Sequence, residues 1–203
     1  MTILDKMISA VSPPESAKAR AEARQRAIES AGASDWLAMV LQHHRHIEAA
    51  FAEVRSASRP EERRAAQLRL ATLLTGHSLA EEAVLYPALV NAGEKAHSTK
   101  AYTEQSAAKV QLGLLEHMQP MSQDYLDKLG HLQGAVAHHM YEEEGTWFLE
   151  LKEKLTAAEQ GQLTRRYAEE FARYMGDDAP PLDSRFTLMN LNLSPASSAP
   201  PSQ

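Results

Sequence analysis

At 203 residues the chain is long enough for one well-buried domain with appendages or for two small ones, and it is 43% hydrophobic and 24% charged. No run of about eighteen apolar residues offers a membrane span; the absence of cysteine excludes disulfides, thiolate metal sites and cysteine nucleophiles, and fits a reducing, cytoplasmic compartment. A formal net charge of -6, with every Arg-containing stretch interleaved with glutamate, argues against nucleic acid as a partner.

The N-terminus carries Asp5 and lacks a basic start followed by a long apolar core, so it does not read as a secretory signal. Residues 1–33 read as a leader: a Ser-Pro-Pro break at 12–14, then an Ala/Arg/Glu helix ending near Gly32. Ser34 and Asp35 offer an N-cap to a helix running to about Ala57. Ser58 is the expected N-cap of the next, with Pro60 in its first turn and Glu61 and Glu62 facing the helix dipole; Asn91 and Gly93 supply its stop. A third helix is expected over roughly Ser98 to Met118, ended by Pro120, and a fourth from Ser122 to about Leu155. Thr156 with Glu159 has the capping-box spacing for a last helix to about Met175, and the Pro/Ser-rich residues 177–203 read as a disordered or surface-draped tail. Nothing alternates with period two for long enough to be a strand. The expected fold is therefore all-α: an antiparallel up-down-up-down four-helix bundle over 34–156, flanked by the leader helix, a C-terminal helix (157–176) and the tail.

The nine histidines gather near helix centres. At about 100° per residue, Leu37, Val40, Leu41, Ile47 and Phe51 form the apolar stripe of the first bundle helix, with His44 in its middle, His43 at its edge and His46 roughly opposite. In the second, His77 and Glu81 lie one turn apart on the stripe of Leu70, Leu74, Val84 and Leu85. The fourth offers two registers, His138 with Glu142 or His139 with Glu143. A repeat decides for His139: Glu81, Glu82, Leu85 and Tyr86 follow His77 at the offsets at which Glu143, Glu144, Trp147 and Phe148 follow His139. The same symmetry, applied to the first helix, places Gln105 in the third helix where His44 predicts a histidine; His44 to His77 spans 33 positions and Gln105 to His139 spans 34. The sequence behaves as a duplicated helix pair, each half delivering one group from its first helix and a His-x-x-x-Glu pair from its second.

A single histidine on a core face is ordinarily a hydrogen-bonded core residue. His44, His77, Glu81, His139 and Glu143 together on core faces, in a repeat, call for a cation, because an unpaired buried carboxylate costs on the order of several kcal/mol. An all-nitrogen-and-oxygen donor set suits iron, manganese or zinc, and two carboxylates able to bridge make a dinuclear site natural. His43, His46 and His138 read as outward or as neighbours of the ligands, and His97 and His131 have no assigned role. Tyr86, Tyr102 and Tyr141 fall near the ligand levels, where a phenol can donate to a bound oxygen species, although each reads first as an ordinary packed tyrosine.

"HSLAEEAVLYP", "HMYEEEGTWF" and "HRHIEAAF" resemble the hemerythrin-like HHE cation-binding domain, over roughly residues 35–155. That resemblance implies a four-helix bundle with a non-haem di-iron centre, oxo- or carboxylate-bridged, held by His44, His77, Glu81, His139 and Glu143. The departure is "YTEQSAAK", where the family usually has Glu-His. Gln105 can offer its carbonyl oxygen or hold a water. Lys109, equivalent by repeat to Glu48, is expected to point toward the site, pairing with Glu48 across the core or balancing charge; His117 would reach the site only through irregular geometry. The function implied is binding or sensing of O₂, NO, peroxide or iron, with an oxidase or peroxide-detoxifying enzyme, or a metal-depleted interaction module, as the competing readings. No membrane or nucleic-acid partner is expected.

Overall fold

Side-chain caps set where half of the helices begin. In the computed structural model, which describes residues 15–176, Ser16 accepts from the Ala19 N–H to open α1 (Ala17–Ser30), and Asp35 accepts from Ala38 to open α2 (Trp36–Ser56). The next helix departs from expectation: Arg59, not Ser58, is the N-cap of α3 (Pro60–Ala80), with no side-chain cap bond. The buried Arg63 supplies the local order instead, donating to the carbonyls of Val54, Arg55 and Ala57 at the end of α2 and to that of Pro120. α3 passes through a π-helical turn (Glu81–Leu85) into α4 (Tyr86–Asn91), and Gly93, at φ 92°, ends it in the left-handed region.

α5 (Lys95–Glu116) starts one turn before the expected Ser98 and ends at His117, which is exposed. α6 (Gln123–Glu142), capped by Ser122, passes through a second π-helical turn (Glu143–Trp147) into α7 (Phe148–Lys154). Both halves of the expected capping box are formed at α8 (Ala157–Met175), where Thr156 and Glu159 exchange hydrogen bonds worth about 1 kcal/mol each. There is no strand among the described residues, and no helix of theirs is long and apolar enough to cross a membrane. The 12–14 break and the 177–203 tail lie outside the described residues.

The helices close on a shared apolar core. α2 packs on α3 and α5 on α6, burying Leu37, Leu41, Ile47 and Phe51 against Leu70, Leu74, Leu112, Leu129 and Leu132. Trp36 meets Phe148 edge to face at 5.6 Å. The flanking helices cover the two π-turns crosswise: α1 packs on the second, α8 on the first and on α2 and α3. A side chain at Gly76 would stand 2.8 Å from Met175 Sδ and 2.9 Å from Tyr174, so the missing Cβ is what lets α8 lie so close beside His77.

Each π-turn begins at the glutamate of a His-x-x-x-Glu pair. The Tyr86 N–H bonds to the Glu81 carbonyl, five residues back, and the Phe148 N–H bonds to that of Glu143. The extra residue in the turn rotates Tyr86 onto the face of Glu81 and Phe148 onto that of Glu143. Such turns are frequent at functional positions, and here the two stand at matching places of the repeat.

Candidate metal centre

Five inward side chains meet at mid-bundle. Donor atoms of His44, His77, Glu81 and Glu143 all lie within 4.8 Å of one another, and all four residues are buried. His77 Nε2 is 3.3 Å from Glu81 Oε2, and His44 Nε2 is 3.3 Å from Glu143 Oε2 and 4.0 Å from Glu81 Oε1. Glu143 turns its other oxygen to His139, whose Nε2 lies 3.2 Å away. Glu143 thus stands between two imidazoles, one per oxygen.

Three of these atoms have no hydrogen-bond partner: His44 Nε2, Glu81 Oε1 and Glu143 Oε2. Buried polar atoms are nearly always paired, because an orphan costs about 1–3 kcal/mol. Three orphans of acceptor character facing one point fit a cation.

The far side of each imidazole is held. His44 Nδ1 donates to Glu144 at 2.7 Å, His139 Nδ1 donates to Glu104 at 2.9 Å, and His77 Nδ1 lies 3.1 Å from the Tyr167 hydroxyl. With Nδ1 carrying the proton, Nε2 presents a lone pair inward, the tautomer a metal requires. Tyr167 also lies 2.9 Å from Nδ1 of His43, so the consistent proton order runs from His77 N–H to the Tyr167 oxygen and from the Tyr167 O–H to His43.

Charge balance without a metal falls to protons. Burial, followed by the Glu143 charge, pushes Glu81 well above the carboxylate range, whereas Glu143, despite its burial, is held low by His139 and His44. Burial alone would depress His44, but the nearby carboxylates Glu143 and Glu144 outweigh it and hold it at about 9; burial of His139 is likewise outweighed by Glu143 and Glu104. His77 goes the other way, lowered by burial and then by the His44 and His43 charges. Burial and the charges of Glu143 and Glu81 push the Tyr86 phenol up. A proton shared between carboxylates and imidazoles is what a divalent cation displaces on entry.

The hemerythrin HHE cation binding domain matches residues 36–151, more than half of the chain. The chain belongs to that family. Membership implies cation binding, in this family usually of iron. The chain is also 27% identical over 128 residues to a DNA nickase of Nostoc sp. (strain PCC 7120), a match covering 63% of this chain and 35% of the nickase. No solved structure gives a significant match.

Within this hemerythrin-family bundle the sequence-predicted residues divide. His44, His77, Glu81, His139 and Glu143 come together. Gln105 joins them, but its amide donates to Glu81 Oε2 at 2.6 Å and to the Tyr86 oxygen at 2.5 Å while its carbonyl oxygen is unpartnered. Lys109 and Glu48 do not pair with each other or enter the centre: Lys109 donates to Glu82 at 2.6 Å, and Glu48 is exposed and accepts from Arg24 at 2.7 Å. His117 lies at the exposed end of α5, away from the cluster.

Repeat symmetry accounts for the Arg24 contact. Glu82 of the first half faces Lys109 of the second; the equivalent cross-half pair is Glu144 and Glu48, two acids. Arg24 of α1 bridges them, reaching Glu144 at 2.8 and 3.0 Å and Glu48 at 2.7 Å. His43, expected at the edge of the core, is buried because α8 covers it: it stacks on Phe171 at 3.8 Å and bonds to Tyr167. His138 is half-buried and holds Glu15, and Tyr102 donates to the Glu82 carbonyl instead of facing the centre.

Sequence reasoning missed Glu104, Glu144, Arg24 and Tyr167. A signal for Tyr167 existed: Leu163, Tyr167 and Phe171 form an i, i+4, i+8 stripe whose middle member alone carries a hydroxyl. Glu144 matched Glu82 in the repeat, but its partners come from α1 and α2, which no local pattern reveals.

Proposed function

We propose that this protein is a non-haem iron protein, dinuclear in its metal content, that binds or senses a small oxidant such as O₂, NO or peroxide. The observation that carries this reading is the set of buried, unpartnered acceptor atoms on His44, Glu81 and Glu143, enclosed by imidazoles whose outer nitrogens are already held. The ligands would be His44, His77, Glu81, His139 and Glu143, with both carboxylates placed to bridge. When bound, iron supplies open coordination positions and a reversible change of oxidation state. The chain's own residues keep three Nε2 lone pairs aimed inward, pack Trp147 against His139, and balance charge through Glu144 and Arg24. Helix connections of a few residues favour the up-down-up-down order for the bundle.

Binding, rather than rapid turnover, is the reading favoured by a centre whose inward donors are buried. The nickase's activity is not a guide here: the chain spans about a third of that protein's length, and its net charge of -6 argues against a polyanionic substrate.

The test is metal content per chain from iron-replete cells, with the visible spectrum of the same sample, followed by anaerobic reduction and exposure to O₂ or NO. Roughly two irons per chain and a reversible spectral change on gas addition support the reading. Iron-free protein, or iron that ignores both gases and instead consumes peroxide at catalytic rates, overturns it.

A further inference from the structure

Around the Tyr86 hydroxyl four polar groups close in. Its oxygen lies 3.2 Å from Glu81 Oε2, 2.9 Å from Glu143 Oε1, 3.1 Å from His139 Nε2 and 2.5 Å from the Gln105 amide nitrogen. Gln105 donates to it. With a cation in place of the site's protons, both carboxylates are ionised and His139 keeps its ring proton on Nδ1 toward Glu104, so the other three are acceptors. One hydroxyl proton can serve one acceptor, so two lone pairs are left pointing at a buried oxygen: Tyr86, Glu81 and Glu143 are all buried. Such crowding of acceptors is repulsive unless a positive charge sits among them.

The spacing identifies what that charge would be. Neighbouring ligand atoms about 2.1 Å from a common octahedral ion stand about 3.0 Å apart. The Tyr86 oxygen stands at 2.9, 3.1 and 3.2 Å from an oxygen of Glu143, a nitrogen of His139 and an oxygen of Glu81. The π-turn produces this placement by turning Tyr86 onto the face of Glu81, and the repeat shows why it happens only once. At the matching position of the other half stands Phe148, packed against Trp36 on the helix that carries His44. The pairing crosses between the halves: the phenol that follows His77 meets Gln105, whereas the phenyl ring that follows His139 packs on the helix that carries His44.

We infer that Tyr86 is itself a metal ligand, as a phenolate, completing with His139, Glu81 and Glu143 the half of the centre that Gln105 leaves without an imidazole. On metal entry the phenol O–H bond breaks, the oxygen–metal bond forms and the proton leaves to solvent, with no change in oxidation state. Gln105 then donates to the phenolate and orients it. The inference rests on the iron reading above.

The experiment is resonance Raman and visible absorption on the full chain loaded with ferric iron, alongside Tyr86→Phe and, as a control, Tyr102→Phe. A phenolate-to-iron charge-transfer band with ring modes of a coordinated tyrosinate is expected in the wild type and in Tyr102→Phe. Tyr86→Phe, checked for helical content by circular dichroism, loses band and modes together and binds fewer irons by about one per chain. Wild-type protein that holds iron without tyrosinate modes overturns the assignment even if the variant does not fold, and leaves the iron reading standing. A band that survives in Tyr86→Phe overturns it too, and wild-type protein that takes up no iron overturns both.

Discussion

Arg24 closes on Glu144 through two parallel hydrogen bonds, Nε to Oε2 at 3.0 Å and Nη2 to Oε1 at 2.8 Å, and the same Oε1 receives the Nδ1–H of His44 at 2.7 Å. A residue of the first helix therefore sets the orientation of a histidine at the centre through one buried carboxylate. The geometry is the fork-on-carboxylate arrangement in which arginine cannot be replaced by lysine without loss.

Arg24→Ala should cost about 2–3 kcal/mol of stability, because it takes two hydrogen bonds from Glu144, 2% exposed, and leaves it only His44 as a partner. Urea denaturation of wild type and variant reads this directly. Glu144→Gln, which keeps an acceptor for His44 but removes the charge, should be milder in stability and still lower iron affinity about tenfold in a competitive chelator titration. Equal effects of the two on affinity and stability would argue against an orienting role.

Tyr167→Phe removes one hydroxyl that serves both His43 and His77. The metal-free protein should lose about 1 kcal/mol, since the ring stays packed and only hydrogen bonds go. Iron affinity should fall by about tenfold as His77 loses the partner that fixes its ring. Calorimetric melting for the first and chelator competition for the second separate the two effects.

Metal-free protein should be most stable near pH 6.5. His43, pushed down to about 3 by burial and then by the His44 and His46 charges, stays neutral in the folded chain while the unfolded chain takes up a proton below 6.5. Stability is therefore lost as pH falls from 6.5 toward 3. His44 has the opposite sign: held at about 9, it keeps a proton that the unfolded chain has already lost, so its contribution is complete below 6.5 and disappears as pH rises through 9. Iron on His44 Nε2 replaces that proton, and the alkaline decline should vanish from the iron-bound form. Melting temperatures of both forms across about pH 4 to 10 give the comparison; an alkaline decline equally steep with iron bound would remove His44 from the ligand set.

Iron binding should raise the melting temperature by roughly 8–16 °C at a ligand excess of about a thousandfold over Kd, which corresponds to about 4 kcal/mol in a protein of this size. Exhaustive chelation should reverse the gain. Indifference of the melting curve to chelation would favour a metal-depleted interaction module.

Much of the inward geometry was legible in the sequence because helical periodicity and duplication make the same statement twice. His77 with Glu81 and His139 with Glu143 are each an i, i+4 pair on an apolar stripe, and the repeat resolved the choice between His138 and His139 that periodicity alone left open. Helix ends marked by Asp35, Ser122, Thr156 and Gly93 were legible too, since each rests on local chemistry. Two things were not. A π-turn adds one residue without a compositional mark, so the rotation of Tyr86 toward Glu81 is visible only in three dimensions. Contacts supplied by a distant helix were equally hidden: His43 reads as an edge residue until α8 is laid over it, and Lys109 reads as a partner of Glu48 until Arg24 arrives from α1.

Both flanking helices lie outside residues 36–151, the span shared with the family. A fragment trimmed to that span would retain every converging nitrogen and carboxylate and lose both Arg24 and Tyr167. Its histidines would still be present but two of them would be free to turn. The family span and the set of residues that hold the centre's imidazoles thus differ in extent, and the difference amounts to one helix at each end.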